Sequence, residues 1–243
     1  MGQALIAAVS ADPRCEVAAI WERAGHPQVG EKIGELTLGD SFEAVAGQLH
    51  VAIDFTSPEA TRRHAEIAAR IGVPLVVGTT GLDAADHDAL STAAWSIPLL
   101  QAANTSVGVT VLLGLVEQAA RLLGTGFDLE IVETHHRGKR DAPSGTALSL
   151  LRALQMGRAD TTPVFARHGD IGARSPSEIG VQTLRGGDVV GEHTVFFFGQ
   201  GERIEMTHRA TDRRIFAAGA VRAAAWLVDQ PPGRYRMADA LSL

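Results

Sequence analysis

The first hundred residues alternate short apolar runs with Ala-rich stretches of helical spacing. Residues 16–20 and 50–54 read as strands, the second ending in the polar Asp54. Residues 58–71 carry Ala60, His64, Ile67 and Ile71 along one side, which predicts a helix. A short buried strand over 74–77 stops at Gly78, a helix over 83–95 follows, and residues 97–100 give a further strand. Strand, helix and strand in succession predict βαβ units and a parallel sheet.

Residues 106–123 predict a long apolar helix, after which the character changes. Residues 128–133 alternate polar and apolar, as do 179–184, 189–198 and 203–209, with glycine-rich turns at 185–188 and 199–201. That pattern predicts a mixed, largely antiparallel sheet. A last helix over 215–228 follows Arg213 and Arg214, and Pro231 and Pro232 stop it. Two domains result. An α/β nucleotide-binding domain takes residues 1–106 and 214–243, with the last helix returning to it. An α+β domain takes residues 107–213. No internal repeat interrupts this plan.

Composition narrows the function classes. The 22 basic and 28 acidic residues give a formal charge of -6, which lacks the basic footprint of a nucleic-acid binder. The single cysteine, Cys15, cannot form an internal disulfide and reads as structural, which fits a reducing compartment. The N-terminus shows no basic region followed by an apolar run and cleavage site, and the apolar stretches read as too short and too interrupted to span a bilayer. A cytoplasmic protein without membrane partners is the expectation.

Parallel α/β sheets bind ligands beyond the carboxyl ends of their strands, so the residues just after each strand matter most. Glu22 and Arg23 follow the first strand. They suit a ribose diol and a 2′-phosphate, or equally a solvated charge pair. Gly78, Thr79, Thr80 and Gly81 suit close backbone approach to a ligand, or an ordinary tight turn. Ala102, Ala103, Asn104 and Thr105, with Ser106, can set an amide against a nicotinamide carboxamide or cap the next helix.

The densest chemistry is ETHHRGKRDAPSGTA at 133–147. From 135 to 146, two histidines, two arginines, a lysine, a serine and a threonine lie within a dozen residues. Such a cluster suits a dianionic ligand. Lys139 and the arginines supply charge, and Ser144, Gly145 and Thr146 form a helix start facing a carboxylate. A histidine can act as general acid near neutral pH. A metal site at His135 and His136 and a solvated basic loop are the alternatives. Adjacent histidines point different ways and no third ligand has suitable spacing, so no metal is expected.

The segment at 133–147 closely resembles the signature of the 4-hydroxy-tetrahydrodipicolinate (dihydrodipicolinate) reductase family. IDFTSPE at 53–59, VGTTG at 77–81, AANTSVG at 102–108 and VGEHT at 190–194 resemble further blocks of that family, in family order over nearly the whole chain. The resemblance implies a Rossmann-like first domain and a second domain for substrate binding and oligomerisation. It implies NAD(P)H-dependent reduction of a cyclic dicarboxylate in lysine and diaminopimelate biosynthesis, by a homotetramer using NADH or NADPH. By residue, it implies that His135 is the general acid and Lys139 the second catalytic cation. His136, Ser144, Gly145 and Thr146 would hold the substrate. Met1, Glu22, Arg23, Gly78, Thr79, Thr80, Ala102, Ala103, Asn104 and Thr105 would line the cofactor cleft. Two hinged domains would close over the substrate. Thr105 stands where the family usually has an aromatic residue. The family also opens with a strand and a glycine-rich phosphate loop ending in Gly-Arg-Met-Gly. This chain starts at Met1 and Gly2, on the last two residues of that motif, so the resemblance implies a further strand and loop upstream in the natural protein.

Overall fold

Leu75, Val76 and Val77 are apolar, consecutive and fully buried, as a strand covered on both faces must be. In a computed structural model that describes residues 1–243, they form the heart of a parallel sheet. The chain divides into two compact units, Met1–Ser106 with Arg214–Leu243, and Val107–Arg213.

The first unit runs α1 (Gly2–Ala11), a small hairpin of β1 (Lys32–Ile33) and β2 (Leu36–Thr37), α2 (Phe42–Ala46), β3 (Ala52–Asp54), α3 (Pro58–Ile71), β4 (Leu75–Val77), α4 (Ala84–Ala93) and β5 (Pro98–Gln101). After the second unit it resumes with α7 (Arg214–Leu227) and β11 (Gly233–Tyr235). The four-stranded sheet has the order β11-β5-β4-β3, all parallel. Leu75, Val77 and Leu99 pack against Ala65, Ile67 and Ala68 of α3 and Leu90 of α4. Val76 and Leu100 face the other way, onto Ala223, Ala224 and Leu227 of α7. The helix ends are written locally. Ser57 caps α3 with Pro58 in its first turn, and Gly72 ends it at φ 85°. Asp83 and Asp86 cap α4 reciprocally.

The expected strand at 16–20 is a correction. Those residues run without a ladder partner, and only Trp21 makes an isolated parallel bridge, to Gly39. β3 pairs with β4 alone and stands at the sheet's edge, and residues 16–20 form no ladder along its free side.

The second unit runs α5 (Val107–Leu123), β6 (Asp128–His135), α6 (Gly145–Gly157), β7 (Thr162–Phe165), β8 (Glu178–Arg185), β9 (Gly191–Gly199) and β10 (Glu202–Ala210). Its sheet has the order β10-β9-β6-β8-β7 and is mixed: the first two pairings are antiparallel, the last two parallel. Helices α5 and α6 cover one face, where Leu112 and Val116 meet Leu150, Leu154, Ile131, Ile179 and Phe197. The helices approach closely at Gly157, where a Cβ would collide with the Glu117 carbonyl oxygen.

The apolar stretch starting α5 exceeds what its sequence suggested. Val107–Gly126 spans 20 residues at mean hydropathy 1.4, enough by length and composition alone for a bilayer span. Here one side of the helix serves the core through Leu112, Val116 and Ala120.

Candidate active site

Strand β6 buries every second residue: Leu129, Ile131, Glu133 and His135. The first two are core. The last two carry that core-facing row to the strand's carboxyl end, where it turns polar. The register sets Thr183 of β8 and His193 of β9 beside Glu133, and Arg185 beside His135. The start of α6 meets the same spot. Ser144 is its N-cap, accepting from the Ala147 N–H at 3.2 Å.

Glu133, fully buried, is the hub. Its Oε1 accepts from the Ser144 N–H at 3.0 Å, Thr183 Oγ1 at 3.2 Å and Arg185 Nη2 at 2.9 Å. Its Oε2 accepts from Arg185 Nη1 at 2.9 Å and lies 2.5 Å from His135 Nδ1. Burial works against its charge, but Arg185, His135 and the Ser144 N–H outweigh it and hold the carboxyl below its usual range.

Burial pushes His135 below the ordinary histidine value, with Glu133 opposing and Lys139 and Arg185 adding to the fall. The ring is therefore neutral near pH 7. A neutral imidazole carries one ring N–H and one nitrogen lone pair. Gly191 makes room for the His135 ring, since a Cβ there would lie 3.0 Å from Nε2. The His193 ring lies edge-on to His135 at 5.1 Å between centroids, and its Nε2 is 3.1 Å from Ser144 Oγ. Burial and the nearby His135 push His193 down to about 4.

The chain leaving β6 is tied back to the β8–β9 turn, through Gly186 N–H to the His135 carbonyl and Arg137 N–H to the Gly187 carbonyl. It carries His136, half-buried, and Lys139, whose Nζ pairs with Asp141 at 2.8 Å. Arg137, Arg140 and Gly145 are exposed, and Thr146 is half-buried. All six second-unit residues singled out in the sequence thus gather at one sheet end. Arg185, Thr183 and His193, unassigned from the sequence, join them. Their signal was the break of apolar alternation at the same end of β8 and β9.

Glu133, His135 and His193 also bring possible ligand atoms within 4.8 Å of one another. Arg185 already holds both oxygens of Glu133, so a cation there would sit against a guanidinium. The chemistry of this donor set argues for a hydrogen-bonded network over a metal centre.

In the first unit, β3, β4 and β5 end side by side, followed by Phe55, by Gly78 to Gly81, and by Ala102 to Thr105. Gly78 is required, because a Cβ would collide with the Phe55 ring. Thr79 is buried and turned inward. Its Oγ1 accepts from Thr61 at 2.8 Å and from the Thr56 N–H at 3.1 Å. Asp54 completes this knot through Thr56 Oγ1 at 2.6 Å and His64 Nδ1 at 2.9 Å. Thr80, Gly81 and Ala103 are exposed on the edge. Asn104 Oδ1 accepts from the Ser106 N–H at 2.9 Å, and the Thr105 hydroxyl donates to the Phe216 carbonyl of α7 at 2.6 Å. Thr105 therefore faces α7. Glu22 and Arg23 are exposed, with Glu22 Oε1 accepting from the Arg23 N–H at 2.8 Å. Met1 caps α1 with no side-chain bond, leaving the first N–H groups of that helix available to an anion. A glycine-relieved edge of three parallel strands fits a dinucleotide.

Comparison with known proteins agrees with this layout. The family model described as dihydrodipicolinate reductase, N-terminus, matches residues 1–105, and that described as dihydrodipicolinate reductase, C-terminus, matches 108–241. A 4-hydroxy-tetrahydrodipicolinate reductase of Anaeromyxobacter dehalogenans (strain 2CP-1 / ATCC BAA-258) is 51% identical, over 100% of this chain and 94% of the relative. One from Myxococcus xanthus (strain DK1622) is 52% identical, over 90% of this chain and 85% of its own length. Among solved structures, a dipicolinate-bound dihydrodipicolinate reductase from Paenisporosarcina sp. TG-14 shares the fold, with TM-score 0.79 at 21% identity over 97% of this chain and 92% of that one. Two family models that together span almost every residue, and relatives at half identity over the full chain, place this protein in the dihydrodipicolinate reductase family.

Proposed function

We propose that the chain reduces 4-hydroxy-tetrahydrodipicolinate to tetrahydrodipicolinate in lysine and diaminopimelate biosynthesis, with the buried Glu133–His135 pair beside the α6 start as the observation that carries this reading. Relatives of that name at half identity support it. In the net reaction water leaves the substrate, and one hydride and one proton are added. A pyridine nucleotide supplies the hydride when bound. Gly78, Thr79 and Thr80, with Ala102 to Thr105, would line its cleft, Thr79 and Thr105 through their backbones. Met1 at the start of α1 would meet the pyrophosphate. Glu22 suits a free ribose and Arg23 a 2′-phosphate, so both NADH and NADPH are accepted in this reading.

The other residues handle the dianion. The N–H groups of Gly145 and Thr146 would receive one carboxylate at the helix start, with Ser144 fixing that start. His136 lies alongside. Lys139 exchanges Asp141 for substrate and stabilises developing charge. His135 takes a proton at Nε2 and delivers it to the reduced ring. The arriving carboxylates favour the imidazolium, offsetting the burial that keeps the free ring neutral. The test is oxidation of NADH and of NADPH with freshly generated substrate. Turnover with either cofactor, absent with other cyclic imines, is the expected result; binding of both cofactors with no turnover would refute it.

The homotetramer belongs to the same reading. Phe196 and Phe198 stack at 5.5 Å on β9, and Phe198 is exposed, an apolar patch suited to self-association. Sedimentation as a monomer at assay concentration would contradict it.

A further inference from the structure

We propose that Glu133 is a positioning residue that fixes the tautomer of His135 and, through the same carboxylate, anchors the start of α6. The inference rests on the reading of His135 as proton donor. Glu133 is fully buried and directs both oxygens at protein donors, so it is not itself a substrate contact. Five donors converge on it: three on Oε1, from Ser144, Thr183 and Arg185, and two on Oε2, from Arg185 and His135. A carboxylate offers about four lone-pair sites, so every acceptor direction is taken. The forked guanidinium of Arg185 keeps the group ionised and still.

The consequence falls on His135. An ionised carboxylate can only accept, so Nδ1 must carry the hydrogen, and Nε2 is left as the atom that exchanges a proton. When Nε2 gives its proton away, the ring is already in the tautomer that Glu133 accepts, with no rotation of ring or carboxylate. The groups facing the ring are Glu133 from β6, Lys139 from the chain beyond it, Arg185 from β8 and His193 from β9, with His208 of β10 next to His193. Of these only Glu133 is an anion, so only Glu133 favours the imidazolium. The same carboxylate holds the Ser144 N–H, which ties the proton donor and the carboxylate-binding helix start to one rigid point.

Glu133→Gln tests this. Three donors point at the Oε1 position, so the amide oxygen settles there and the NH₂ group faces His135 Nδ1. Nδ1 must then accept, and the neutral ring moves its hydrogen to Nε2. Nitrogen NMR of histidine-labelled protein reads this directly: Nδ1–H in the wild type, Nε2–H in the variant. Turnover number falls by about 10²-fold, and the alkaline limb of its pH profile moves to lower pH. Affinity for dipicolinate stays within about tenfold, because the Ser144 anchor survives. A wild-type His135 protonated at Nε2 overturns the proposal, even if the variant does not fold. A folded variant that keeps Nδ1–H and an unmoved alkaline limb also overturns it. The spectrum needs no turnover, so an inactive wild type would tell against the function and leave the tautomer result standing.

Discussion

At the scale of single residues, the site is a run of core positions that stopped being apolar. On β6 the inward row reads Leu129, Ile131, Glu133, His135, and β9 continues its own inward row of Phe197 and Val195 to His193. Burying His193 has a measurable cost. Its value is about 4 in the folded chain against an ordinary 6.5, so the unfolded chain binds the extra proton between those limits. Stability is therefore full above pH 6.5, falls as the pH drops toward 4, and loses about 3 kcal/mol from this group. Denaturant titrations of the wild type and His193→Gln across that window check it. The variant's curve should be flatter, and parallel curves would contradict the assignment. The sequence displays this chemistry unevenly. Glu133 to Thr146 is one continuous segment, so its density is visible at once. Arg185 and His193 reach the site only through strand register, which a linear reading does not contain.

At the scale of elements, helices are more legible than strands because their ends are encoded in neighbouring residues. Ser57, Pro58 and Gly72 bound α3 within the chain itself. A strand is a property of a pair. Residues 16–20 have the composition of a strand yet lack a ladder, while β7 and β11, at four and three residues, are strands only because β8 and β5 accept them. Packing between elements is also hidden. Gly219 of α7 looks like a helix defect, but a Cβ there would collide with the Thr105 carbonyl oxygen. Gly219→Ala should destabilise the protein by about 1–3 kcal/mol despite alanine's better helix propensity. Each kcal/mol lowers the melting temperature by roughly 2–4 °C in a chain of this size. Because Thr105 is among the residues proposed to line the cofactor cleft, KM for the nucleotide should rise as well. A melting temperature unchanged or raised would show that the loop yields freely.

At the scale of the whole molecule, the chain comprises two units of different sheet logic. One is a parallel sheet covered on both faces, whose edge gathers glycine, threonine and amide side chains. The other is a mixed sheet whose helix-covered face runs from an apolar core to an ionic hub. The alternation of periods along the chain shows both, which is why the fold class is readable before any coordinates. The central claim is that the second unit supplies the proton through His135. The most direct measurement is steady-state turnover of His135→Ala with 4-hydroxy-tetrahydrodipicolinate, alongside calorimetric binding of NADPH and dipicolinate. The account predicts turnover lower by about 10²–10⁴-fold with both ligands still bound. Full turnover in that variant would contradict it.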